Sequence, residues 1–516
     1  MRRLLSCWPS LLGAALLAGC GSDPTFDIEV VARDNCNGLD IIEPNHKVVL
    51  TVRGPDLEKP ITVEANGSDG TIEVPEIPAG KDRVVTVEVW NTAGGRRQDL
   101  QAHGESLPFD VNENGTPKVQ VILYRTNFFS DAVGKDKNCA RMIEARAGHV
   151  GVALSKHEVL LAGGYTEVRE GKPKGMLASA EVFDLRTGTF ESVAAMPSAR
   201  AFARAVRLKD GRVLVIGGVR EDGDGLALVG DAAIFDGRSW SRAEMLVARR
   251  DFTATLVEET GEVLVVGGVD ADGKIVSTVE AFDPKNDAFR EVQLEGGVGA
   301  VTRAYHAAAL QRGEVKLVGG VDAEGKVRAD GAIVRWDSSR GEYAVQEIPG
   351  LLEEPVLRPA VLSMGSAVSP RLVIGGGHTA YIVLDKDRPG EGSPGSDTRL
   401  VQVDPPANAP DIELTAPVGD SCAVRFDNNR GLFFGGSRSG VGALPPTLAN
   451  FVRFSSPTAP PTVTEAGDPG DRKFGVQHTT CAPIGEKGAL IAGGLGQDGR
   501  VTGAALVYLV RQDSQG

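Results

Sequence analysis

The sequence predicts an all-β protein: a seven-bladed propeller of small sheets, preceded by a smaller β domain. Three observations carry that expectation. Apolar runs ending in paired glycines recur seven times. Short β segments separated by Asp/Gly turns surround each run. Stretches with helical apolar periodicity are hard to find after the N-terminus. The clearest copies read Gly211-Arg-Val-Leu-Val-Ile-Gly-Gly218 and Gly261-Glu-Val-Leu-Val-Val-Gly-Gly268. The pairs are Gly163 and Gly164, Gly217 and Gly218, Gly267 and Gly268, Gly319 and Gly320, Gly375 and Gly376, Gly435 and Gly436, and Gly493 and Gly494. Their second members stand 54, 50, 52, 56, 60 and 58 residues apart, a period that marks a repeat architecture.

One repeat explains why the sheets must stack. Phe202–Leu208 alternates, Lys209-Asp-Gly211 turns, and Arg212–Ile216 is almost wholly apolar up to the glycines. Ala232–Phe235, the turn Asp236-Gly237 and Trp240 complete four segments. The second is apolar on both faces, so it is expected to be buried on both. A lone four-stranded sheet covers neither face; radial stacking covers both. Glycine costs backbone entropy in a strand, so a repeated pair implies positive φ or close backbone approach between sheets.

These repeats resemble the kelch family of propellers. The likeness rests on the diglycine after the second strand and on spaced aromatics: Phe183 and Phe190, Phe235 and Trp240, Phe282 and Phe289, Trp336 and Tyr343. The phrase Ala180-Glu-Val-Phe-Asp-Leu-Arg-Thr-Gly-Thr-Phe190 is similar to bacterial kelch repeats. The resemblance spans roughly residues 126–510 and implies a fold that hosts many activities.

In chain order, Arg2 and Arg3 precede a short apolar run, Leu11–Leu17, too short to span a membrane. Leu17-Ala-Gly-Cys20 resembles a bacterial lipobox, which implies a signal peptide over 1–19, lipidation of Cys20 and a tether over 20–25. Gly21 after the cysteine implies the outer membrane by that family's sorting rule. The expected address is the bacterial cell envelope, with the lipid anchor in the membrane. Residues 26–125 are free of the repeat. Strands are expected at Phe26–Val31, Lys47–Val52, Ile61–Glu64, Val84–Trp90 and Val119–Tyr124, in a small β-sandwich resembling immunoglobulin-like or transthyretin-like modules. Residues 126–511 form the propeller. Met142, Met196 and Met245 track the glycine spacing, so the segment near Phe128–Asn138 is expected to close the ring against the last blade, which lacks a fourth strand. Blades five and six carry proline- and glycine-rich insertions at Arg388–Gly395, Pro405–Pro410 and Pro457–Pro461, where binding often resides.

The chain has a formal net charge of −14 with no basic stripe, so no nucleic acid is expected as a partner. Cys36, Cys139, Cys422 and Cys481 remain after the leader, in an oxidising compartment. Cys422 and Cys481 hold near-equivalent first-strand positions, which pairs them with each other and leaves Cys36 with Cys139. The CxxC and HxxxH spacings of metal sites are absent. His149, His306 and His478 lie 15, 14 and 16 residues before their second glycines, near the channel mouth. Carboxylates in the loops after Gly218, Gly268 and Gly320 match calcium less well than Asp-Gly turns. Tyr305-His306 is the only adjacent pair of that kind to set beside a galactose-oxidase-like copper site, and no cysteine matches that enzyme's crosslink. No Gly-x-Ser-x-Gly elbow, phosphate loop or Asp-box stands in a convincing context. The expected function is a binding or scaffold lipoprotein that is not an enzyme, uses no cofactor or metal, and holds a protein or glycan partner through its loops. A glycan or matrix binder and a copper oxidase are the alternatives.

Overall fold

A computed structural model of the chain describes residues 28–510 apart from 35–38, 71, 94–95, 113–117, 135–137, 367–369, 379–398, 404–411, 414–420, 437–448, 456–460, 467–476 and 497, together with residues 2–3. The lipidation candidate Cys20, the cysteine Cys36, the insertions Arg388–Gly395 and Pro405–Pro410, and most of Pro457–Pro461 lie outside the described residues. Two compact units are present. One comprises Met1–Arg141, Phe183–Phe190 and Leu506–Gly516; the other comprises Met142–Val182 and Glu191–Ala505.

In the first unit, alternation builds the main sheet. Val85, Val87 and Val89 of Gly80–Ala93 face Val52, Leu50 and Val48 of Lys47–Arg53 and are buried with them. A strand's side chains point to opposite faces by turns, so one apolar parity makes one core face. Ile61–Asn66, Phe109–Val111, Arg96–Glu105 and Tyr124–Arg125 extend this sheet. Arg96–Glu105 is absent from the sequence expectation because its first half is polar. Its inward parity holds only Leu100, Ala102 and Gly104. A Cβ on Gly104 would strike the Ile122 carbonyl oxygen, so a bulkier apolar signal has no room there. Val119–Ile122 runs parallel to Ile28–Val31 and shares the same core. Phe129–Asp131 pairs antiparallel with the last strand, Phe129 opposite Tyr508, their rings 4.8 Å apart.

The second unit is built from repeated antiparallel sheets. Five lie wholly within it, for example Arg204–Arg207, Val213–Ile216, Asp231–Phe235 and Trp240–Glu244, paired in that order. Two further hairpins, Val150–Ala153 with Glu158–Ala162 and Thr480–Pro483 with Gly488–Ala492, have the same form. The second strands are buried end to end, as at Val213–Ile216, Val263–Val266 and Arg430–Phe434. First strands adjoin one another in a closed cycle. Val150–Ala153 lies beside Arg204–Arg207, then Thr253–Leu256, Ala307–Gln311, Ala360–Gly365, Cys422–Arg425 and Thr480–Pro483, which returns to Val150–Ala153. The spaced aromatics are cross-strand partners of third and fourth strands. Phe235 packs against Trp240 at 4.9 Å and Phe282 against Phe289 at 5.1 Å with tilted rings, and Trp336 meets Tyr343 edge-on at 4.9 Å.

The paired glycines sit where each second strand meets the entrance of the next sheet. Gly267 and Gly268 have φ of 65° and 98°, a region that excludes most L-residues. A Cβ on Gly267 would fall inside the Arg303 carbonyl oxygen, and one on Gly268 would lie 2.7 Å from the Arg250 carbonyl oxygen. The fifth repeat departs from the sequence marking. Gly375 ends the strand Pro370–Gly375, and the positive-φ pair is Gly376 and Gly377, at 64° and 110°. Three successive glycines leave that register ambiguous in sequence.

Arginines lock these junctions. The N–H of Gly494 donates to the Arg146 carbonyl (2.9 Å), Gly164 to Arg200 (2.8 Å) and Gly268 to Arg303 (2.9 Å). Each guanidinium then turns back into its own sheet. Arg146 donates to the carbonyls of Gly163 (2.9 Å) and Ser179 (3.0 Å), and Arg249 to those of Gly267 (3.1 Å) and Thr278 (2.9 Å). Each also pairs with a third-strand or adjacent acid: Arg146 with Glu181, Arg200 with Asp231, Arg249 with Glu280, Arg303 with Asp330. All four arginines are at most 1% exposed. Acid length sets what else is held. Glu181 also accepts the Ile143 and Glu144 amides (2.7 and 3.0 Å), and Glu280 those of Leu246 and Val247 (2.9 and 3.0 Å). The shorter Asp231 and Asp330 instead take a second arginine, Arg242 and Arg328. In the fifth repeat Val356 occupies the arginine's place, its carbonyl accepting from Gly320 at 2.8 Å.

Removing one partner of a buried ion pair strands the other charge. Glu280→Ala should therefore cost about 3–5 kcal/mol in urea unfolding. Glu167→Ala, which breaks the exposed pair with Arg169, should change stability by less than about 1 kcal/mol. Gly273→Ala, at φ 80° with nothing within 4 Å, should cost about 1–2 kcal/mol from the backbone alone. Gly267→Ala adds a backbone clash and should cost at least about 1–3 kcal/mol more in the same measurement.

Candidate functional site

The junctions place one residue per repeat in a collar at the entrance of the first strands. Beyond the lock, six repeats among the described residues bridge to the residue after a glycine pair. Ala147 meets Tyr165, Ala201 meets Val219, Arg250 meets Val269, Ala304 meets Val321, Leu357 meets His378 and Gln477 meets Leu495. The next residue is Gly148, Phe202, Asp251, Tyr305, Arg358 or His478, and all six have φ between 50° and 62°. Five of them are not glycine, and that conformation costs about 1–3 kcal/mol each where surroundings impose it. Backbone bonds link them around the ring: Gly148 N–H donates to His478 (2.8 Å), Phe202 to Gly148 (2.8 Å), Tyr305 to Asp251 (3.0 Å) and Arg358 to Tyr305 (2.7 Å).

The collar has two chemical halves. On one side the Tyr165 hydroxyl and His478 Nδ1 lie 2.6 Å apart. The Phe202 ring stands edge-on to His478 at 5.1 Å and 5.7 Å from Tyr165. On the other side Asp251 pairs with both Arg250 and Arg358, each at 2.7 Å. Arg250 donates to the Tyr305 hydroxyl (3.0 Å), and the Arg358 guanidinium lies 4.7 Å from the Tyr305 ring centre. Tyr165, Arg250 and Tyr305 are buried supports, whereas Phe202, Asp251, Arg358 and His478 are partly buried and reach solvent. Burial pushes the Tyr305 phenol up to about 12 and raises that of Tyr165, so both remain protonated at neutral pH.

Two hairpins wall the aromatic side. Tyr165–Arg169 pairs with Lys172–Met176, and Val219–Asp222 with Gly225–Leu228. They lie side by side, with the Met176 amide donating to Glu221 (3.4 Å) and Lys174 to the Gly223 carbonyl (3.3 Å). Elsewhere the same loop is a tight turn. Asp270 Oδ1 accepts the amides of Asp272 and Lys274 (both 2.9 Å), and Asp322 Oδ1 those of Glu324 and Lys326 (3.2 and 2.8 Å). These carboxylates serve the turns.

The three spaced histidines do not converge. His149 and His306 are buried between adjacent sheets, where their Cβ atoms crowd Gly164 and Gly320. His306 Nε2 lies 2.8 Å from the Thr253 hydroxyl, and neither ring nitrogen of His149 has a hydrogen-bond partner among the described residues. His478 falls one position earlier in its repeat and enters the collar, a slip that the unequal offsets before the glycines already contain. Tyr305 and His306, adjacent in sequence, go to different partners. Cys422 and Cys481 form a disulfide between neighbouring first strands, and Cys139 is also disulfide-bonded. The described residues therefore do not supply the tyrosine, histidine and cysteine donors of a galactose-oxidase-like copper site, and no cluster of three His, Cys, Asp or Glu among them is arranged for a metal. Sequence reasoning missed Tyr165, Phe202, Arg250, Asp251 and Arg358. The signal for Phe202, Asp251 and Arg358 is positional, the second residue after the entrance residue, and their types share nothing; Arg250 stands one residue after its entrance arginine and Tyr165 directly after a glycine pair.

The Kelch motif family matches residues 260–293. No curated protein matches the chain by sequence. Among solved structures, a fungal alcohol oxidase of the AA5 family, in complex with copper, is similar over 72% of this chain and 75% of its own, with 14% identity and a TM-score of 0.50. The structure of YjhT is similar over 63% of this chain and 99% of its own, with 13% identity and a TM-score of 0.47. The chain carries a kelch-type β-propeller. The expectation that it is not an enzyme is corrected: the alcohol oxidase has a similar fold, so the architecture gives no ground for excluding catalysis.

Burial holds the His149 pKa at about 3 and that of His306 well below its usual value, with nearby arginine charge adding to both. An unfolded chain protonates these rings near pH 6.5, so stability is complete above that pH and falls as acid is added. The loss from pH 6.5 to pH 5 should reach about 2 kcal/mol per histidine. His149→Gln should flatten the urea-midpoint profile over that window.

Proposed function

We propose that this kelch-type propeller is a partner-binding module of the cell envelope, and that it grips its partner at the collar. The observation that carries this reading is the run of non-equivalent residues on a locked, left-handed backbone, with Phe202, Asp251, Arg358 and His478 reaching solvent over the buried Tyr305. Strain of this kind persists where surroundings over-determine it, and it gathers at ligand clamps. The closed cycle of seven first strands supports seven blades. Pairing of Phe129–Asp131 with the last strand fits a ring joined through the two ends of the chain. We read the first unit as a small β-sandwich, on the strength of the core shared by its main sheet and the Val119–Ile122 pair. The lipobox-like Leu17–Cys20 supports an anchor through Cys20 in the outer membrane, and the Cys422–Cys481 disulfide suits the oxidising compartment that anchor implies.

An aromatic side beside the Asp251–Arg358 pair suits a protein loop that presents an apolar and a polar side chain together. The test uses a photo-crosslinking amino acid in intact cells, placed at position 202 or at exposed Lys209, beyond the far end of the same strand. Position 202 should capture a partner that position 209 does not, and Arg358→Ala should abolish the capture. Equal capture at both positions, or capture indifferent to Arg358, would remove the collar from the binding surface.

A further inference from the structure

The first unit carries an open cleft unrelated to the collar. It lies at the N-terminal ends of the parallel strands Ile28–Val31 and Val119–Ile122, where Glu29, Lys118 and Val119 meet Leu107, Pro108 and Phe109, with Gln120 and the turn residues Arg186 and Thr187 completing the wall. Its volume is about 390 Å³. Leu107 is 39% exposed, a large apolar side chain held out at the rim. Beside it Lys118, its side chain 60% exposed, pairs with Glu29 at 3.1 Å. An apolar tip flanked by an ion pair matches the two layers of a lipid interface, acyl boundary and headgroups.

The chain itself says what lies opposite. Cys20 precedes Ile28 by eight residues. Fully extended, eight residues reach at most about 26–29 Å. An acylated Cys20 therefore confines the N-terminal end of Ile28–Val31 to within that distance of the bilayer. The cleft is at that end of the strand.

We propose that this end of the first unit is a membrane-facing surface, with Leu107, Pro108 and Phe109 seated at the headgroup–acyl boundary and the Lys118–Glu29 pair among the headgroups. The proposal rests on the anchored reading given above. Interfacial seating of a few apolar groups beside a covalent anchor supplies orientation, while the acyl chains supply the affinity. The first unit then stands on the membrane by a defined end.

The test uses the full chain, processed and lipidated in cells and reconstituted into phosphatidylcholine–phosphatidylglycerol vesicles that contain a headgroup-adjacent nitroxide lipid. A coumarin-bearing amino acid replaces Leu107 in one sample and Phe128 in another. Phe128 is 49% exposed and lies beyond the opposite end of the Val119–Ile122 strand, so it controls for apolarity. Palmitate labelling of the wild type and of Cys20→Ser is measured alongside. The expected result is label that depends on Cys20, with quenching several-fold stronger at 107 than at 128. Dependent label with equal quenching at both sites overturns the membrane-facing surface and leaves the anchor standing. Absence of dependent label removes both. A Pro108→Asp variant carrying the 107 probe should lose most of the difference, and retention of the full difference would also overturn the proposal.

Discussion

One peptide junction organises the propeller. At four junctions a carbonyl at the entrance of a sheet, that of Arg146, Arg200, Arg303 or Val356, accepts an N–H from the second glycine of the sheet before it. In four repeats the entrance residue is an arginine whose guanidinium closes on its own sheet and its acid. Backbone and side chain of one residue thus serve two neighbouring sheets. The glycines follow from this: a carbonyl oxygen stands where their Cβ would be. The collar follows too, since the bridge after the arginine fixes the next residue in the left-handed region.

The lock is uneven around the ring. Entrance positions are arginine at 146, 200, 249 and 303, and valine at 356. The sequence also places Val418 and Val476 eighteen residues before Gly436 and Gly494, the spacing of Arg146 from Gly164 and Arg200 from Gly218. In that half of the chain the neighbouring first strands Cys422–Arg425 and Thr480–Pro483 are joined by a disulfide. A covalent link there constrains the unfolded chain, whereas the arginines act by satisfying buried groups in the folded one.

Period and burial were legible because they depend on composition summed over many residues. Seven glycine pairs and their preceding apolar runs fix the second strands without reference to partners. The aromatic pairs were legible for the same reason, since Phe235 and Trp240 sit at matching offsets in a hairpin. What escaped depends on single registers. Gly375-Gly-Gly377 offers two pairs and the structure uses the later one. His478 is one residue out of step with His149 and His306, and that single step moves it from between two sheets to the collar. The buried arginines were visible as recurrent Ala-Arg pairs at 145–146, 199–200 and 248–249, but a charged residue reads as surface until its acid is located. The collar was illegible because glycine, phenylalanine, aspartate, tyrosine, arginine and histidine share a backbone angle and no chemistry.

That last point bears on how such a surface can change. Main-chain bonds hold the left-handed turn in place whatever side chain is mounted there, although Asp251, Tyr305 and Arg358 also brace one another. Exchange at the least braced of these positions, Phe202 above all, should redraw the chemistry of the collar at the smallest thermodynamic penalty, so descendants of one ring could diversify there much as antibody loops do.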